Sequence, residues 1–122
     1  MTLQELYAKI GGNYEQAQRI MKMDKLIDRY IRKLKNSGVN EQLAAAAEKM
    51  DPTGLFESAH AMKGVCANLG LDELAALADE ITEEFRPGNS RTLSDAAVQE
   101  KLNKINELFQ KTLDRIGEYE GS

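Results

Sequence analysis

Three residues with chemical potential fall in one short stretch of this sequence: His60, Lys63 and Cys66. His60 is the single histidine and Cys66 the single cysteine. One cysteine excludes an intrachain disulfide and a Cys-rich zinc site, and one histidine excludes an imidazole cluster or two histidines on one metal. Histidine chemistry, whether as acid, base, ligand or nucleophile, therefore has to pass through His60. The run Glu57-Ser58-Ala59-His60 matches the Glu-x-x-His element of di-iron helical bundles. Such sites need a second copy, which one histidine supplies only across a dimer, and ligands that project into the core, from which His60 points away on the helical wheel. GxxxxGK[ST], GxGxxG and GxSxG are all absent, so neither a nucleotide-phosphate cradle nor a nucleophile elbow is expected. Use of ATP by the chain alone is not expected either.

Helices must position these residues. Leu and Ala number 14 each against three Val, and only two prolines occur, a composition that favours helix over strand. Thr2 and Glu5 form a capping box for a short first helix carrying Leu3, Leu6, Tyr7 and Ile10, which Gly11-Gly12 stops. Asn13 caps a run with Tyr14, Ala17, Ile20 and Met21 on one face, continued by Ile27, Tyr30, Ile31 and Leu34 to Ser37-Gly38. The pattern leaves open whether the chain bends near Asp24. An Ala-rich helix from Val39 to Met50 follows, with Leu43, Ala46, Ala47 and Met50 as its apolar side. Asp51-Pro52 then reads as an N-cap with proline at the first helical position.

The helix so begun carries Leu55, Ala59, Met62, Cys66 and Leu69 at core spacing and ends at Gly70. Leu71, Leu74, Ala78, Ile81 and Phe85 repeat the period up to the Pro87-Gly88-Asn89-Ser90 turn. Thr92 with Asp95 is expected to cap a last long helix bearing Val98, Leu102, Ile105, Phe109, Leu113 and Ile116. Short connections make successive helices pack side by side. The expectation is an all-α, antiparallel four-helix bundle with short additional N-terminal helices, one domain over residues 1–122.

At about 100° per residue, the Leu55, Met62, Cys66 and Leu69 stripe is centred roughly 210° from His60, so the histidine points away from the core. Phe56, Lys63, Gly64 and Ala67 lie within about 60° of it. A mid-helix glycine costs about 0.5–1 kcal/mol against alanine, so Gly64 beside His60 suggests close approach by another molecule. An outward His with a Lys one turn away is most often plain polar surface. An exposed Phe56 with Gly64 and Ala67, however, makes a small apolar patch around a titratable group, which fits a docking surface. Cys66 falls in the core stripe and reads as a small buried hydrophobe. Glu83-Glu84 and the other charge clusters read as solvated helix surface.

The run 59–70, Ala59-His60-Ala61-Met62-Lys63-Gly64-Val65-Cys66-Ala67-Asn68-Leu69-Gly70, resembles the signature of histidine-containing phosphotransfer (HPt) domains of multistep phosphorelays. That signature is His-x-x-Lys-Gly, four residues, then Leu-Gly. Met62 stands where Leu is more usual, a volume-conserving change. The resemblance in order of elements spans nearly all of residues 1–118, though before Asp51 it rests on pattern alone. It implies that His60 takes a phosphoryl group from a receiver phospho-aspartate or a kinase and hands it to another receiver. It gives Lys63 the role of offsetting phosphoryl charge and Gly64 that of leaving room. From the apolar patch, the docking face is expected to centre on Phe56, His60, Gly64 and Ala67. It further implies a carrier rather than an enzyme, without cofactor or metal of its own, Mg²⁺ being held by the partner receiver domain.

The remaining expectations concern partners. Sixteen basic against 20 acidic residues, with a net charge of −4, make a mixed surface unsuited to nucleic acid. Neither a bilayer-spanning apolar run nor a signal peptide is evident, so the protein is expected to be cytoplasmic and without membrane partners. Expected partners are response-regulator receiver domains or a hybrid sensor histidine kinase, met as a monomer. Two other readings stay open: a helical adaptor that binds such partners without passing phosphate, and the phosphotransfer domain of a chemotaxis-type kinase. The chain ends soon after the last helix with no dimerisation or ATP-binding segment, which favours the free-standing carrier. A fragment of a larger hybrid kinase would look the same.

Overall fold

The computed structural model describes residues 1–121, and among these every regular element is helical. In chain order they are α1 (Leu3–Ile10), α2 (Tyr14–Met21), α3 (Asp24–Lys33) with a 3₁₀ turn at Leu34–Asn36, α4 (Val39–Lys49), α5 (Pro52–Asn68), α6 (Asp72–Glu84) and α7 (Asp95–Glu120). Local sequence accounts for most boundaries. The Thr2–Glu5 capping box closes both ways at the start of α1, and Gly11 ends that helix in the left-handed region. Asn13 caps α2 by accepting from the Gln16 N–H. Pro52 opens α5, where its missing donor is harmless.

Between α2 and α3 the chain does break. Lys22 adopts φ +75° and Met23 serves as N-cap, although neither residue type advertises a turn. The break re-aims the two short helices, so Ile20 and Tyr30, expected on the inner face, are exposed while Ala17, Ile27 and Ile31 are buried. Thr92 is not the cap of α7. Ser94 takes that place, its hydroxyl accepting from the Ala97 N–H at 3.1 Å.

Thr92 is instead drawn to Glu84, which overturns the reading of that glutamate as solvated surface. Glu84 is buried and accepts from the backbone N–H groups of Thr92 (2.9 Å) and Leu93 (2.8 Å) and from the Thr92 hydroxyl (2.9 Å). Arg91 approaches the same carboxylate at 3.5 Å. Those bonds, the Leu93 N–H first, hold its carboxyl below the usual range. The end of α6 thereby ties down the segment that delivers the chain to α7.

Helix α5 packs against α4, α6 and α2; α6 packs on α7, and α7 returns to α4, so the last four helices close a ring of contacts. Leu55, Ala59, Met62, Cys66, Leu74, Ala78, Ile81, Val98, Ile105 and Phe109 fill its interior. Helix α1 packs on α7 and α2 on α5, and both are tied to the foot of α5. The Tyr7 hydroxyl donates to the Leu69 carbonyl at 2.6 Å, and the Asn13 N–H donates to the Gly70 carbonyl at 2.7 Å. Gly70 has φ +68°, and a Cβ there would fall 2.2 Å from the Asn13 carbonyl oxygen. The turn that links α5 to α6 thus needs glycine both for its conformation and for its contact.

Candidate functional site

His60 stands in the middle of α5, exposed, above a side of the helix on which Leu55, Ala59, Met62 and Cys66 are fully buried. A side chain carried by so anchored a helix has its backbone position fixed by the core. Its ring stacks on that of Phe56 one turn earlier, with centroids 5.9 Å apart and planes 12° from parallel. Phe56 is half-buried against the core rather than the exposed anchor expected, because its ring lies along α5 beneath the imidazole and the Arg86 guanidinium sits over it at 5.3 Å. The outcome is an Arg86–Phe56–His60 arrangement that limits how the imidazole can turn.

Lys63, one turn further on, is half-buried, and its Nζ lies 2.7 Å from Asp79 Oδ1 across the α5–α6 contact. Arg86 pairs with Glu83 at 2.7 and 3.1 Å. The Arg86 guanidinium, aided by Lys63, holds the Glu83 carboxyl below its ordinary value despite nearby Asp79. A Cβ at Gly64 would meet nothing within 4 Å, so no internal neighbour requires glycine there. Ala67 continues the same face and is half-buried. Cys66 lies on the opposite, interior side, where burial pushes its thiol up to about 12 and leaves it unreactive as a nucleophile near neutrality. Among the described residues no group of three or more His, Cys, Asp or Glu could hold a metal ion.

Asp79 on α6 and Arg86 just past its end escaped the sequence reading, and Glu83, read only as solvated surface, proves to be the partner of Arg86. Asp79 and Glu83, four apart, share one face of α6, a pattern visible in the sequence but readable only with knowledge of which helix α6 faces. Among protein families, the model of the Hpt domain matches residues 28–118 of this chain.

The chain belongs to the Hpt domain family. Hpt domains are histidine phosphotransfer modules of two-component phosphorelay signalling, phosphocarriers that work with response-regulator receiver domains and kinases. The match takes in most of α3 and all of α4–α7, including the run 59–70, and leaves α1 and α2 ahead of it. It is thus narrower at the N-terminus than the resemblance in element order. Neither curated proteins nor solved structures gave a match. No helix among the described residues is long and apolar enough to cross a membrane.

Proposed function

We propose that His60 is the residue on which this Hpt domain carries phosphate, exchanging it with receiver-domain aspartates in the cytoplasm. The supporting observation is an exposed imidazole held mid-helix over a fully buried stripe, with open space beside it at Gly64. In transfer from a receiver, the lone pair of the unprotonated ring nitrogen forms the N–P bond while the O–P bond of the phospho-aspartate breaks. The carboxylate leaves with that electron pair, and the proton on the other ring nitrogen stays in place. The reverse sequence delivers the group to a second receiver.

Phosphoryl transfer depends chiefly on positioning and charge stabilisation. The Phe56 stack orients the imidazole, Lys63 offsets phosphoryl charge, and Gly64 leaves room for the phosphoryl group and the receiver's loops. Phe56 and Ala67 border the docking face. The Mg²⁺ and the acidic cluster that transfer also requires belong to the receiver, and this chain contributes neither cofactor nor metal. The chain acts as one domain over residues 1–122 and as a monomer. Its α4–α7 ring is an antiparallel four-helix arrangement, a reading supported by the closed order of contacts α4–α5–α6–α7–α4. Incubation with a phosphorylated receiver domain is expected to move label onto the wild-type protein and not onto His60→Gln. Equal labelling of both proteins overturns the assignment, and receiver binding undiminished in His60→Ala with no phosphohistidine on the wild type favours an adaptor.

A further inference from the structure

One ammonium at this site faces two possible anions. Lys63 Nζ is 2.7 Å from Asp79 Oδ1, and that oxygen is shut off from solvent without a well-formed hydrogen bond, so the ammonium is the charge that satisfies it. Lys63 also follows His60 by three residues on the same helix, which brings its side chain within reach of a group attached to the imidazole. The other nearby cation, Arg86, is held by two bonds to Glu83. Asp79 and Glu83 are themselves one turn apart on α6, and Lys63 is near enough to Glu83 to lower its pKa. If Lys63 leaves, the two carboxylates repel each other with less between them.

Building on the assignment of His60 as the phosphorylated residue, we infer that Asp79 is a positioning residue that competes with the phosphoryl group for Lys63. In the unphosphorylated protein Asp79 holds the ammonium in the α5–α6 contact. A phosphoryl group on His60 carries more negative charge than a carboxylate and draws Lys63 away from it. Phosphorylation then includes the cost of breaking the Lys63–Asp79 pair, and Asp79 weakens the hold of His60 on phosphate. A carrier gains from this, since a group that must be passed on should not be held too tightly.

The test is the equilibrium distribution of phosphate between His60 and a receiver domain that exchanges with the wild-type protein. Asp79→Asn keeps the shape and removes the charge, and is expected to shift the distribution toward His60 about threefold, the scale of a partly exposed ion pair. Asp79→Glu is expected to restore the wild-type ratio. In a Lys63→Ala background, Asp79→Asn is expected to have no effect beyond the direct, screened repulsion between Asp79 and phosphate. An unchanged ratio in Asp79→Asn, a shift away from His60, or an equal shift in the Lys63→Ala background overturns the inference. Circular dichroism melting checks that each variant is folded. A variant that does not fold is replaced by following the Lys63 side-chain nitrogen of the wild type by NMR on treatment with phosphoramidate, which releases ammonia as it phosphorylates histidine. A Lys63 signal unmoved by phosphorylation also overturns the inference. Failure of wild-type His60 to take phosphate from either donor is a separate result and overturns the assignment of His60 itself.

Discussion

Gly64 and Gly70 sit on the same short stretch, yet the demands on them are opposite. Gly70 is required from inside, by its positive φ and by the Asn13 carbonyl that a Cβ would strike. At Gly64 a Cβ would meet open space, so alanine is the better helix residue by about 0.5–1 kcal/mol. Gly64→Ala is therefore expected to melt at a higher temperature than wild type and to exchange phosphate with a receiver more slowly. A variant that is both more stable and equally fast removes the steric role assigned to Gly64. The outward placement of His60 could be read from the sequence because 100° steps from Leu55, Met62 and Cys66 leave it no inward position. The stacking of Phe56 and the pairing of Lys63 could not. Both depend on Asp79 of α6 and Arg86 just beyond that helix, which carry no mark in the sequence of the helix they will face.

Among the elements, the α5–α6 turn links the site to the N-terminal helices. The Leu69 and Gly70 carbonyls accept from the Tyr7 hydroxyl and the Asn13 N–H, so the Leu-Gly pair closing the 59–70 run serves as the anchor for α1 and α2. Gly70→Ala must either leave the left-handed region or displace Asn13, and a loss of at least about 1–2 kcal/mol is expected. Hydrogen exchange is expected to show the loss first in α1 and α2; protection unchanged there argues against the anchor. Boundaries marked by capping side chains at Thr2 and Asn13, or by proline at Pro52, were legible, although Asp51 heads α5 without a side-chain capping bond. The break at Lys22 was not, because a lysine at positive φ answers to the packing of Ala17 and Ile27 rather than to its own preference.

For the molecule as a whole, depressed carboxylates set the acid limit of stability. Glu84 is lowered by the Leu93 and Thr92 segment ahead of α7, Asp28 by the Tyr119 hydroxyl and then Arg32 where α3 meets α7, and Glu5 by the Thr2 cap. A carboxyl with a folded pKa below its unfolded value stabilises the fold fully above the unfolded value, near 4, and loses that contribution as pH falls through the folded one. The melting temperature is thus expected to be nearly flat from neutrality to about pH 5 and to fall steeply below about pH 4. Glu84→Gln should lower it at neutral pH and flatten its acid slope, and an unaltered slope excludes Glu84 from the acid limit. The all-helical reading rested on apolar residues at helical spacing, from Leu55 to Ile116, and all of these but half-buried Leu113 are buried in the core. Glu84 was misread because its doubled-acid context resembles surface, while its partners, Thr92 and Leu93, lie across a turn.

The solitary imidazole on α5 has a kinetic consequence. With His60 as the proposed loading point, donor and acceptor must take turns at that one face. Under that proposal an idle receiver on this face blocks the next delivery. The chain then acts as a queue of length one.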